Sequence, residues 1–155
     1  MQLTFRTATQ ADFDLLWKLH QETMHEYVDA TYGWNDHAQL EYFKNGYRPE
    51  SLTLVEWNDQ LAGCYCLEQR ESCLYLASME IAPEFQNKGI GSRYLAQFMA
   101  IARDHCVPLE LHVMKANLAA RRLYERVGFQ VVGEISKYGT TPTHDHMRWT
   151  PKRDP

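Results

Sequence analysis

Gln86-Asn87-Lys88-Gly89-Ile90-Gly91-Ser92 is the stretch from which the rest of the chain can be placed. Two glycines one residue apart let the backbone pass close to an anion with no Cβ in the way, and successive N–H groups in such a turn converge on one point. Upstream, Leu74-Tyr75-Leu76-Ala77-Ser78-Met79-Glu80-Ile81 reads as a strand stopped by Ala82-Pro83. Downstream, Tyr94, Leu95, Phe98, Ile101 and Ala102 fall along one side of a helix predicted over Ser92 to Asp104. The order is strand, turn, glycine loop, helix. A helix starting at such a loop adds its unpaired N–H groups and the positive end of its dipole, so the guest that suits it is a pyrophosphate.

Two nucleotide-binding patterns do not match. A phosphate-loop NTPase closes its loop with Gly-Lys-Ser/Thr, and a dinucleotide fold needs G-x-G-x-x-G directly after the strand. Here Lys88 precedes the first glycine and Tyr94 stands where the third would fall. A second pattern follows further on: a hydrophobic strand at Leu109 to Met114, then Asn117, then Ala120-Arg121-Arg122-Leu123-Tyr124-Glu125-Arg126-Val127-Gly128-Phe129. Glu110 and His112 alternate with Leu109, Leu111 and Val113, so both polar side chains leave that strand on one face.

The remaining chain reads as a single domain over residues 1–150 with a loose tail at 151–155. Its 155 residues, 45% hydrophobic and 12% aromatic, are enough to close one sizeable core. Leu3 to Arg6 alternates as a first strand. Ala11 to about Ala30 carries Phe13, Leu16, Leu19, His20, Met24 and Tyr27 at helical spacing, with Thr9 or Gln10 as its cap. A turn rich in Thr31, Tyr32, Gly33, Trp34, Asn35 and Asp36 leads to a second helix near His37 to Asn45, ended by the Gly46 and Pro49 region. Ser51 to Trp57 and Gln60 to Gln69 are strands around Asn58-Asp59, a hairpin signal. Cys64, Cys66, Cys73 and Cys106 form no C-x-x-C pair and read as reduced packing residues. His144 and His146 share a face of a late strand but lack a third ligand, so no metal is expected. With no charged and apolar leader pattern at the start and no run long enough to span a bilayer, a cytoplasmic chain without a membrane partner is expected.

With Gln86-x-x-Gly89-x-Gly91 after a strand ending in Ile-Ala-Pro, and the second pattern in order behind it, the chain resembles the GCN5-related N-acetyltransferase (GNAT) family over about residues 50–135. The resemblance implies a mixed α/β fold, with a twisted, mostly antiparallel sheet, a splayed parallel strand pair and flanking helices. It implies acetyl-CoA as cofactor, held by Gln86, Asn87, Lys88, Gly89, Ile90, Gly91 and Ser92 at the loop. Backbone groups of Met79 and Ile81 would meet the pantetheine arm and acyl oxygen, with Asn117 and Tyr124 also at the cofactor. The implied activity is acetyl transfer to a small amine or peptide amine by direct attack.

That chemistry needs an amine stripped of a proton, a stabilised thioester oxygen and a proton for the departing thiolate. Tyr124 is placed near the sulfur by the resemblance. For the base, His112 stands where one branch of the family carries a glutamate, twelve residues before the tyrosine, and Glu80 is the second choice. Tyr27, Tyr32 and Trp34, with Glu26, Asp29 and Asp36 nearby, combine flat rings with carboxylates and form a box for an ammonium group; a helix-to-helix staple or a homodimer surface would use the same rings. Residues 1–85 carry a net charge of −9 and residues 86–155 a net charge of +5. A basic half around the cradle suits coenzyme A, an acidic half suits a cationic amine, and a net negative chain is a poor nucleic-acid binder. A non-catalytic acyl-CoA sensor, an interaction module and an O-acetyltransferase are the competing readings.

Overall fold

The computed structural model describes residues 2–153; Met1 and the last two residues of the expected tail, 154 and 155, lie outside the described residues. The order is β1 (Leu3–Thr7), α1 (Phe13–Tyr32), α2 (Asp36–Gly46), β2 (Thr53–Trp57), β3 (Gln60–Gln69), β4 (Leu74–Ile81), α3 (Ile90–Asp104), β5 (Leu109–Met114), α4 (Leu118–Val127), β6 (Gln130–Ile135) and β7 (His144–Trp149). Short 3₁₀ turns precede α1, β2 and α3 at Gln10–Asp12, Pro49–Ser51 and Pro83–Phe85. The strands form one seven-stranded sheet in the order β1-β2-β3-β4-β5-β7-β6. The pairs β1/β2, β2/β3, β5/β7 and β6/β7 are antiparallel, and β4 with β5 is parallel. The mixed, mostly antiparallel sheet expected from the sequence is the one observed. No helix is long and apolar enough to cross a membrane among the described residues.

Chain contacts divide the molecule into two compact units, Met1–Leu67 with Ser78–Lys88, and Glu68–Ala77 with Gly89–Pro155. In the first, Asn58 and Asp59 both take positive φ, 51° and 62°, the mirror-image turn whose twist matches a right-handed hairpin, and β2 runs directly into β3. Thr9 lies ahead of α1, as expected of the cap region, but the helix starts at Phe13 because the 3₁₀ turn intervenes. There Asp12 accepts from the Thr9 backbone N–H at 2.8 Å and takes a two-pronged bond from Arg6, at 2.9 and 2.8 Å. Leu16, Leu19 and Val28 carry the buried side of α1, while Leu54, Val55 and Ala62 are fully buried on β2 and β3.

In the second unit α3 starts two residues earlier than the sequence pattern indicates, at Ile90 rather than Ser92. Its buried side is Ile90, Gly91, Tyr94, Leu95, Phe98 and Ala102; Ile101, expected on that side, is 39% exposed. By helical angle Ile101 falls beside Ile90 at the edge of the buried stripe, an edge that is covered at the start of α3 and open near its end. Leu109, Leu111 and Val113 of β5 are buried, as is Met147 of β7. The buried carboxylate of Asp145, on the same face of β7 as Met147, is met by Lys115 Nζ and Arg121 Nη1, both at 2.8 Å, so its charge is paired rather than stranded. All four cysteines are free thiols; three are buried and Cys106 is exposed.

Gly63 on β3 is fixed by a close backbone approach. A Cβ there would lie 2.5 Å from the Glu80 carbonyl oxygen of β4, a backbone atom with nowhere to retreat. Gly63→Ala is therefore expected to destabilise the protein by about 1–3 kcal/mol, as overpacked sites do. Thermal unfolding should register it at roughly 2–4 °C per kcal/mol, and an unchanged Tm would show that β3 and β4 can part locally without cost.

Candidate active site

The glycine loop has the conformation its sequence suggests. Asn87 (φ 59°) and Gly89 (φ 80°, ψ 4°) are both left-handed, with Lys88 between them. Nothing lies within 4 Å of a Cβ built on Gly89, so the glycine answers to the backbone angle and not to crowding. Gly89 is the N-cap of α3, and the first helical bond runs from Arg93 N–H to its carbonyl at 3.1 Å. By the helical pattern the N–H groups of Ile90, Gly91 and Ser92 have no partner within the helix. The contrast with two other helices is informative: Asn35 Oδ1 accepts from Ala38 N–H at the start of α2 and Asn117 Oδ1 from Ala120 N–H at the start of α4, whereas no side chain caps α3. Asn117 is thus the N-cap of α4.

Gln86 and Lys88 are held by contacts within the first unit. Gln86 Nε2 donates to the Ile81 carbonyl at 2.9 Å, so this side chain anchors the loop to the end of β4. Lys88 Nζ lies 5.7 Å from the Trp57 ring centroid and 5.8 Å from that of Phe85, which holds the ammonium beside the loop by cation–π attraction. Met79, Glu80 and Ile81 are partly exposed at the end of β4. The hydrogen-bonded register of β4 with β5 covers only Leu74–Leu76 against Leu109–Leu111, although both strands continue; beyond it Ala77 and Ser78 are exposed.

Glu80 does not stand alone. Its Oε1 shares a 2.9 Å hydrogen bond with His20 Nδ1 of α1. The His20 ring sits among Trp17, Trp34 and Phe43, with centroids at 6.0, 6.3 and 5.3 Å. Trp34 also contacts His25, at 4.5 Å, and Trp17, at 6.1 Å. Its backbone N–H donates to Asp29 Oδ1 at 2.9 Å and its indole N–H to Asp36 Oδ1 at 2.7 Å, so both carboxylates expected near the ring hold it in place. Of the other expected acceptor residues, Glu26 is exposed, Tyr27 is partly exposed on α1 and Tyr32 ends that helix, 39% exposed.

His112 acquires a partner in the second unit. Its Nδ1 is 2.7 Å from Tyr75 Oη, a diagonal contact across the parallel β4/β5 register in which Tyr75 faces Glu110. Burial first, then the positive charges of His146, Lys137 and Arg70, hold the His112 imidazole below its ordinary range, with Glu110 opposing. Burial likewise pushes the Tyr75 phenol up. A neutral imidazole hydrogen-bonded to a protonated phenol is the result, and it can take a proton in two ways. If His112 Nδ1–H donates to Tyr75 Oη, Nε2 is the acceptor; if Tyr75 Oη–H donates to Nδ1, the phenol receives a proton as it passes its own to the ring. Tyr124, on α4, is buried against Phe129 at 5.6 Å between centroids, and burial alone pushes its phenol up to about 12, so it holds a proton at neutral pH. Sequence reasoning singled out His112 but missed Tyr75 and His20. Tyr75 comes within reach of His112 only when β4 and β5 are paired, and in the sequence His20 is one member of a helical stripe.

A model of the Acetyltransferase (GNAT) family matches residues 15–129. The chain belongs to this family. It is 32% identical over 87 residues to the 5-NmdU N-acetyltransferase of Pseudomonas phage PaMx11, a match covering 54% of this chain and 59% of that protein. It is 39% identical over 59 residues to N-alpha-acetyltransferase 60 of Xenopus tropicalis, covering 36% of this chain and 24% of that one. The chain thus matches less than two thirds of the length of either relative. In fold it is similar to the PaiA N-acetyltransferase of Thermoplasma acidophilum, crystallised in complex with coenzyme A, with a TM-score of 0.75 over 97% of this chain and 100% of that one at 16% identity.

Beside His112, His144 is buried and hydrogen-bonded to Thr143 Oγ1 at 2.8 Å, and burial, followed by the charges of Lys137 and His112, lowers it to about 4. A histidine held neutral in the fold favours the folded state fully above its ordinary value near 6.5, and that contribution is lost as pH falls from there to about 4. The urea midpoint should therefore drop across this window, and drop less in His144→Gln; parallel curves for the two proteins would show that His144 protonates as easily folded as unfolded.

Proposed function

We propose that this protein is an acetyl-CoA-dependent N-acetyltransferase that moves an acetyl group to a primary amine by direct attack in a ternary complex, with residues 1–150 acting as one domain. The observation that carries the reading is the start of α3: a left-handed turn at Asn87 and Gly89 delivers a helix whose first-turn N–H groups no side chain caps. That donor set suits a diphosphate, and the basic balance of residues 86–155 adds to it. Membership of the family and the coenzyme A complex of a relative of the same fold support the same cofactor. The two curated relatives are both named N-acetyltransferases, which favours nitrogen over oxygen as the acceptor.

In this reading Asn87, Lys88, Gly89, Ile90, Gly91 and Ser92 hold the diphosphate, with Gln86 fixing the loop to the strand end through Ile81. Backbone groups of Met79 and Ile81 bind the pantetheine arm and acyl oxygen, and Asn117 lies along the cofactor. The bound thioester supplies an activated acetyl group. His112 with Tyr75 receives the proton of the attacking ammonium and the nitrogen forms its bond to the acyl carbon; as the carbon–sulfur bond breaks, Tyr124 donates a hydrogen bond or proton to the departing sulfur, and the second proton shed by the acylated nitrogen makes good the one the thiolate takes up. Glu80, held by His20, together with Glu26, Tyr27, Tyr32 and Trp34, attracts the cationic acceptor and orients it.

The test uses the cradle. Acetyl-CoA at about a hundred times its Kd should raise the stability of the native protein by about 2.7 kcal/mol, and a panel of primary amines should release free thiol. Gly89→Glu places a carboxylate in the cradle and a side chain at positive φ, at a backbone cost of roughly 1–2 kcal/mol that leaves the protein folded. It should lose both the acetyl-CoA stabilisation and the thiol release. Equal stabilisation of the two proteins would contradict the proposal.

A further inference from the structure

One face of the second unit carries polar side chains beyond those the proposed transfer uses. On β5 and β7 the paired positions Glu110 with Arg148, and His112 with His146, fall on the same face by strand alternation, and Tyr75 joins them from β4. The ring of His146 meets that of His112 edge to face, with centroids 4.9 Å apart and planes at 69°. His146 Nε2 is 2.7 Å from Glu110 Oε1, and Arg148 Nη2 donates to the same oxygen at 3.2 Å. On the far side of the His112 ring stands Tyr75, at 2.7 Å from Nδ1, with the Arg70 guanidinium stacked over the phenol at 3.8 Å. The result is a row, Glu110 to His146 to His112 to Tyr75, in which every ring has a neighbour that restricts its rotation.

We infer that His146, clamped by Glu110, is a positioning residue for acyl transfer: it holds the His112 ring turned toward Tyr75 and presents a positive edge to it. The inference rests on the reading of His112 and Tyr75 as the proton-accepting pair. Glu110 is well suited to the clamp. Burial opposes its ionisation, but hydrogen bonds from Cys73, His146 and Arg148 outweigh that and hold its carboxyl below the usual range, so it remains an acceptor for the His146 ring. The charged and titratable groups acting on His112 are Arg70 from the turn before β4, Tyr75 on β4, Glu110 on β5, His146 and His144 on β7, and Lys137 from the β6–β7 connection. Among the charges that resist protonation of His112, that of His146 ranks first. A cation at this edge disfavours a second one on His112, so the base stays neutral to lower pH than it would alone.

His146→Gln keeps a donor for Glu110 and removes both the ring and its charge. With that positive edge gone, His112 should take up its proton at higher pH. Two measurements follow on the folded variant, with circular dichroism as the check on folding. The His112 ring resonances, assigned by their loss in His112→Ala, should titrate at higher pH in His146→Gln than in the native protein. The acidic limb of kcat/KM for the amine should move to higher pH in the same variant, with the KM for acetyl-CoA unchanged. A His112 titration that stays put or moves to lower pH overturns the inference. The underlying reading fails separately, if His112→Ala retains full turnover and an unaltered pH profile.

Discussion

Everything proposed for this chain depends on a helix whose beginning is held in place by something other than a cap. The first turn of α3 would ordinarily be secured by a side-chain oxygen, as Asn35 and Asn117 secure α2 and α4. Here the anchoring comes from the side of the helix. Ile90 and Gly91 in the first turn are buried, followed by Tyr94, Leu95, Phe98 and Ala102, and each fully buried large apolar side chain contributes about 1.5–3 kcal/mol. The N–H groups at the start are thereby rigid yet available, which is the preorganisation an anion site needs. The turn before them must be left-handed at Asn87 and Gly89 to bring the chain in from β4, and Gln86 ties that turn to Ile81.

The two units divide the acid–base inventory. Each holds an imidazole fixed by one strong hydrogen bond, His20 to Glu80 in the first and His112 to Tyr75 in the second, and the surroundings of the two differ. His20 lies among aromatic rings beside a carboxylate, an arrangement suited to drawing in a cation. His112 lies against a phenol and a second imidazole, with burial and neighbouring positive charge keeping it neutral, an arrangement suited to accepting a proton near physiological pH.

Much of this was legible in the residues. Gln60–Gln69, Leu74–Ile81 and Leu109–Met114 are strands with the bounds their patterns indicate, because apolar runs flanked by the Asn58-Asp59 and Ala82-Pro83 signals leave little freedom. The face shared by Glu110 and His112 followed from a period of two. What escaped was what register and helix phase decide. Tyr75 is 37 residues from His112 and His20 is 60 from Glu80, so neither pair shows itself until strands are aligned and α1 is laid down. The start of α3 was displaced for a similar reason: Gly89 and Gly91 look alike in sequence, yet one is the left-handed cap and the other a buried first-turn residue.

The most direct measurement is a titration of the ¹⁵N-labelled protein with coenzyme A, read at individual backbone amides. The largest shifts should fall on Lys88 to Ser92, with Ala38 in the first turn of α2, whose N–H Asn35 already engages, unaffected. Saturating coenzyme A that leaves the amides of Lys88 to Ser92 unmoved would contradict the cradle reading.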